Sequence, residues 1–221
     1  VSAAPFESLN LGAHVGDMPE AVAENRRRLI AAGGVPSEPV WLAQEHGVRV
    51  RNLDSPADSA GAADGAFTRC PGRVCAILTA DCLPVLLAAD TGGAVAAAHA
   101  GWRGLAAGVI EAAVHALEHP PKALIAWLGP AIGPDHFEIG PEVCAELLRG
   151  DAGAQAAFRP SSRPGRVMAD LAALARRRLR RLGVERIYGG AECTYRDRDR
   201  YFSHRRDART GRQATLLWLE N

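Results

Sequence analysis

The sequence predicts an α/β protein of the mixed kind, α+β with mixed sheet layers, and three observations carry that prediction. Short apolar runs of strand length are interspersed with amphipathic helical stretches. They do not follow strict strand–helix–strand alternation, which argues against a doubly wound parallel sheet. No G-x-G-x-x-G follows an apolar run, which removes the dinucleotide-binding form of that sheet. Apolar residues make up 48% of the 221 residues with no linker-like break, so one domain over 1–221 is expected.

The elements are read in chain order. Residues 20–32 carry Ala21, Val22, Leu29 and Ile30 at helical spacing and stop at Gly33-Gly34. Residues 40–44 and 48–51 read as short strands around His46-Gly47, and 74–79, 85–89 and 94–98 as buried strands, the last rich in alanine. One helix over 105–117 follows the glycines of Gly101-Trp102-Arg103-Gly104. Residues 123–128 form another apolar strand, ended by Gly129-Pro130. Helices are expected over 141–148 and 169–182, and strands over 187–188 and 214–219. In the arginine-rich helix Leu171, Leu174, Leu179 and Leu182 make an apolar stripe, and Arg176, Arg177, Arg178, Arg180 and Arg181 fill the solvated face.

Charge and composition exclude several functions. Net charge is +1, and no aromatics interleave the arginines for base stacking, so a nucleic-acid partner is not expected. No apolar run is long enough to span a membrane, and no signal-peptide pattern opens the chain. Cys70, Cys75, Cys82, Cys144 and Cys193 are odd in number and fit no small secreted scaffold, so a reducing cytoplasm is expected. Lys122, the only lysine, sits in a proline-flanked connector, and no Gly-Lys-Ser/Thr of a P-loop occurs.

Chemistry concentrates in three segments. Gln44-Glu45-His46-Gly47 puts a histidine at a turn between strands. Thr79-Ala80-Asp81-Cys82-Leu83-Pro84 puts a cysteine between two apolar strands. His99-Ala100-Gly101-Trp102-Arg103-Gly104 puts a histidine at the end of a small-residue strand. Two imidazoles and one thiolate converging at strand ends suit zinc with an open fourth position, and neighbouring glycines allow close approach. The spacing is no zinc-finger ladder, so each residue also has a plainer reading. Cys82 can be a small buried hydrophobe, and His46 and His99 hydrogen-bonded turn residues. Arg103 can grip an anion or pair with Asp81 or Asp64.

These segments, with others, resemble the YfiH-like family, also called the multicopper polyphenol oxidase or laccase-domain family. The further matches are Ala63-Asp64-Gly65, Gly129-Pro130-Ala131-Ile132-Gly133, Cys193-Thr194-Tyr195, and Tyr201-Phe202-Ser203-His204-Arg205-Arg206-Asp207 with Thr210-Gly211-Arg212. The opening Ser8-Leu9-Asn10-Leu11-Gly12-Ala13-His14 also matches, so the resemblance runs nearly the whole chain. It implies the YfiH-type layered fold, related to toxin deamidases that use a Cys-His pair. It implies a zinc site of His46, Cys82 and His99. It also implies a purine nucleoside phosphorylase acting on adenosine, inosine, guanosine and methylthioadenosine, with adenosine deamination, hence transferase and hydrolase chemistry. Cys82, His99, Asp81 and Arg103 are the catalytic candidates, and Asn10, His14, Arg205 and Arg206 the substrate-binding ones. The partners expected are a purine nucleoside and phosphate, with no nucleic acid or membrane, in a monomer or weak homodimer.

Two departures stand out: Glu45 replaces an apolar residue, and the chain starts where the family has a further N-terminal edge strand. Two alternatives stay open. A Cys82–His99 amidase, editing peptidoglycan precursors, needs no metal. A copper-dependent polyphenol oxidase, an oxidoreductase, meets a ligand shortage. Four coppers need on the order of ten histidines, and the chain has seven. A single blue-copper site would want an axial methionine, and Met18 and Met168 lie far in sequence from the three segments.

Overall fold

The computed structural model describes residues 1–58 and 60–220. Helix α1 (Pro19–Gly33) opens on a proline at its first turn, where no hydrogen bond is lost, and closes at Gly34 with a left-handed φ of 60°. Strands β1 (Val40–Trp41), β2 (Val50–Asn52), β3 (Gly65–Thr68), β4 (Cys75–Thr79), β5 (Leu83–Ala89) and β6 (Val95–Ala100) follow. Then come α2 (Trp102–Ala107), α3 (Val109–Ala116), β7 (Leu124–Leu128), β8 (Glu138–Ile139), α4 (Pro141–Leu148), β9 (Phe158–Pro160) and β10 (Val167–Ala169). The chain continues through α5 (Leu171–Leu182), β11 (Arg186–Gly189), α6 (His204–Asp207) and β12 (Gln213–Leu217). Among the described residues no helix is long and apolar enough to cross a membrane.

The strands form a mixed six-stranded sheet in the order β11-β7-β5-β6-β3-β2, parallel only at its two outer pairs. Two three-stranded sheets, β1-β4-β12 and β8-β10-β9, accompany it. Side chains of β6 alternate between two cores, as the period of two demands. Ala96, Ala98 and Ala100 join the large core with Leu105, Ile110 and Leu179, under the helices. Ala97 joins a smaller core with Leu42, Cys75 and Ile77, between the large sheet and β1-β4-β12. Alanines on both faces keep this strand thin, so α3 and β4 pack closely on either side. His99 shares the parity of Ala97 and therefore points between the sheets.

The mixed α/β class agrees with the sequence, and several local expectations are corrected. The helix expected over 105–117 is two helices, because Gly108 takes φ 104° and ends α2 before α3 begins. The strand expected over 94–98 runs on to Ala100, so His99 stands near its end but inside it, opposite Pro84. The strand expected over 40–44 pairs only at Val40 and Trp41, since the following loop turns toward His46. β3 was not visible in the sequence: Gly65-Ala66-Phe67-Thr68 is buried throughout and shows no polar alternation. The arginines of α5 are not simply solvated. Arg177 and Arg181 pair with Asp151, Arg178 with Glu111, and Arg176 donates to the carbonyls of Ile187 and Gly189.

Candidate metal centre

Two tight turns and the strand β6 bring the chemistry together. His46 sits in the loop between β1 and β2 with φ 63°, and Asp81, just before Cys82, has φ 93°. Such angles are strained for residues with a Cβ and persist where surrounding bonds hold them. Asp64 holds the first: its carboxylate accepts the backbone N–H groups of Glu45 (3.1 Å), His46 (2.8 Å) and Gly47 (2.7 Å). The Gln44 carboxamide clamps the same loop to β4, donating to the Leu78 carbonyl and accepting its N–H. Asp81 is held by Thr194 Oγ1 (2.7 Å) and the Arg205 N–H (2.6 Å), while its carbonyl accepts from Ile132.

Asp64 has a second task. Its Oδ1 accepts from His99 Nδ1 at 2.8 Å, both side chains being buried. That bond fixes the imidazole tautomer and leaves Nε2 as a free ligand atom, as a carboxylate–histidine–metal arrangement requires. His46, Cys82 and His99 offer ligand atoms within 4.8 Å of one another, and no other such His, Cys, Asp or Glu group occurs among the described residues. Cys82 Sγ lies 3.6 Å from His46 Nε2. A tetrahedral zinc with Zn–N of about 2.1 Å and Zn–S of about 2.3 Å separates such atoms by about 3.6 Å, so the pair has the required spacing. Gly101 makes the room: a Cβ there would lie 2.7 Å from His46 Cδ2 and 2.8 Å from Cys82 Sγ. The donor set, its spacing and this gap fit a zinc-sized ion.

Electrostatics point the same way. Burial pushes the Cys82 thiol up, but the charge of His99 and hydrogen bonds from His46 and His99 outweigh it and bring the pKa down to about 6. Burial pulls His99 down, while the Cys82 thiolate and the Asp64 hydrogen bond raise it to about 9. Thiolate is the form that ligates or attacks.

The centre opens into a cavity of about 360 Å³. His14, Asp81, Arg103 and Arg205 line it beside the three ligand candidates. So do Arg212, Trp102 and Phe137, which the sequence did not single out as site residues. Two of the substrate-binding candidates do not line the cavity. Asn10 does not line the cavity; its fully buried side chain is consumed by Gly12, Asp17 and the Arg212 N–H. Arg206 does not line it either, because its guanidinium donates to the carbonyls of Thr194, Tyr195 and Tyr201 and pairs with Asp207. Arg103 pairs with neither Asp81 nor Asp64; it lies over the Trp102 ring at 4.4 Å. Asp64, and not Asp81, orients His99. Glu45 is exposed and stays off the cavity wall.

Fold and site together define an α/β protein with one imidazole–thiolate centre built between two sheets. The family model described as multi-copper polyphenol oxidoreductase laccase matches residues 1–220, and the chain belongs to that family. Among its relatives, the purine nucleoside phosphorylase YfiH of Escherichia coli is 52% identical over 219 residues, covering 99% of this chain and 89% of that protein. A purine nucleoside phosphorylase of Pseudomonas aeruginosa is 52% identical over 221 residues, covering 100% and 90%. The crystal structure of a Neisseria meningitidis protein superposes with a TM-score of 0.94 at 45% identity, covering 100% and 90%. That of YlmD from Geobacillus stearothermophilus gives 0.91 at 31% identity, covering 100% and 88%.

Proposed function

We propose that this protein is a zinc-dependent purine nucleoside phosphorylase, acting on adenosine, inosine, guanosine and methylthioadenosine and also deaminating adenosine. One observation carries the reading: His46, Cys82 and His99 converge in a cavity that also bears Arg103, Arg205 and Arg212. The relatives named as phosphorylases support the substrate class. His46, Cys82 and His99 would hold the ion, with Asp64 behind His99. When bound, zinc with an open fourth position supplies a Lewis acid and lowers the pKa of a coordinated water to about 7.

The chain's own residues do the rest. In phosphorolysis a phosphate oxygen bonds to C1′ of the ribose as the C1′–N9 bond breaks, and the base leaves with a proton. The arginines concentrate and orient the phosphate dianion, which water would otherwise hold off. Trp102 and Phe137 give the cavity an aromatic surface for a purine. In deamination water adds at C6 and ammonia leaves, with no need for the arginines. Elemental analysis of the purified protein, then product analysis from adenosine with and without phosphate, tests the reading. One zinc per chain and phosphate-dependent adenine release are expected. Product formation unaffected by phosphate and by metal removal would refute it.

A second reading has its own observation. Cys82, with its pKa brought down to about 6, His99 and Asp64 form a thiolate–imidazole–carboxylate set suited to amide hydrolysis, with peptidoglycan-precursor editing as the role. Activity that survives chelation would favour it. A blue-copper centre finds no support in the cavity, which neither Met18 nor Met168 lines.

A further inference from the structure

Three arginines line the cavity, and they are not equivalent. Arg103 is exposed and rests on its neighbour Trp102. Arg205 is exposed too, lying over Phe137 at 5.4 Å with Nη1 donating to the Glu138 carbonyl. Arg212 is half-buried and locked from three sides. Its backbone N–H donates to Asn10 Oδ1 at 2.8 Å. Its Nη1 donates to the carbonyls of Thr210 (3.1 Å) and Gly211 (2.9 Å). Its Cγ lies where a Cβ on Gly12 would come within 2.8 Å, so residue 12 must be glycine for the stem to pass. Asn10 supports both walls of this channel, bonding the Gly12 N–H and carbonyl as well.

The fork of this arginine is left open. Among the described residues Nε and Nη2 have no hydrogen-bond partner, and no carboxylate lies within ion-pair distance of Arg212. A half-buried guanidinium without an anion is unfavourable, and burial does pull its pKa below the ordinary arginine value. Arg212 lines the same cavity as Cys82 and Asp81, and so faces the metal centre without an ion-pair partner of its own among the described residues. The Nε–Nη2 edge is the one that binds two oxygens of a phosphate in parallel, and a stem already immobilised loses little further freedom on binding.

We infer that Arg212 is the anchor of the phosphate co-substrate, held ready by Asn10 and Gly12, while Arg103 and Arg205 close over the anion from the rim. This rests on the phosphorylase reading. Asn10 is thereby a positioning residue, its buried carboxamide holding Gly12 and the Arg212 backbone in place.

The test is steady-state phosphorolysis of adenosine by wild type, R212Q, R212K and R103Q, with phosphate and adenosine varied separately. It is joined to zinc content, thermal melting, and 31P NMR titration of each protein with inorganic phosphate. In R212Q the phosphate KM should rise about ten- to a hundredfold, the loss of one charge-assisted contact. Adenosine KM and zinc content should stay within about twofold. R212K should recover only part, because lysine keeps the charge and loses the fork; it also serves if R212Q melts too low to assay. An unmoved phosphate KM in both variants, or a rise with R103Q alone, would overturn the assignment. Tighter binding of adenosine 5′-monophosphate than of adenosine, lost in R212Q, would assign the fork to a phosphoester and overturn it too. A wild-type protein that performs no phosphorolysis would instead end the parent reading, and this assignment with it.

Discussion

Replacing Asp64 by asparagine should weaken zinc binding at the centre without touching a ligand candidate. The carboxylate takes four hydrogen bonds: Oδ1 from the His46 N–H and His99 Nδ1, Oδ2 from the Glu45 and Gly47 N–H groups. Asparagine keeps one oxygen. If its NH2 replaces Oδ2, two part-buried backbone donors lose their acceptor, at no more than about 1–3 kcal/mol each because water can reach the loop. If it replaces Oδ1, the His46 N–H is orphaned and His99 must accept at Nδ1. Its proton then moves to Nε2, the atom that should ligate. The loss of such an orienting partner lowers metal affinity about ten- to a hundredfold, roughly 1.4–2.7 kcal/mol. Competition for zinc against a chromophoric chelator measures the second effect, and thermal melting of the metal-free protein the first. A D64N protein that holds zinc within about twofold of wild type would refute the role given to Asp64.

Three further outcomes are expected. Gly101→Ala should abolish zinc retention and activity together while the fold survives by circular dichroism, because its Cβ would occupy the space of His46 and Cys82; full zinc content would contradict this. Cys82→Ala should lose metal and turnover together, whereas turnover lost with zinc still bound at wild-type affinity would point to the nucleophile reading. Hydrogen bonds from Arg177 hold the Asp151 carboxyl well down, to about 2, below its ordinary 3.8. A depressed carboxylate stabilises fully above its unfolded value and loses that contribution as pH falls through the folded one. The difference in melting temperature between wild type and D151N should therefore shrink between about pH 4 and pH 2; a constant difference would show that the ion pair does not stabilise the fold.

The fold was legible where one side-chain pattern served one environment. β5, β7, α4 and α5 read directly from their apolar runs or stripes and caps. β3 and the short strands β8, β9 and β10 did not: runs of two to four residues are too short to show a period, and β3 is buried on both faces. Gly108 read as an interior glycine, and only tertiary packing turned it into a break. In the site, His46, Cys82 and His99 announced themselves by residue type beside glycines. Asp64 did not, although it lies in a short Ala-Asp-Gly motif, because its role depends on four bonds to segments 17 to 35 residues away. Arg206 and Arg212 could not be told apart in sequence: both are arginines in one polar stretch. What separates them is a few carbonyls and the Asp207 carboxylate, which together consume the whole fork of Arg206, while carbonyls take only one edge of Arg212.

The central claim is that this centre breaks a glycosidic bond with phosphate. The most direct measurement is 31P NMR of the metal-replete protein incubated with adenosine and inorganic phosphate. The account predicts that ribose 1-phosphate appears in step with free adenine, and that its formation stops when zinc is chelated. Adenosine left intact, or consumed without any phosphorylated sugar, would contradict it.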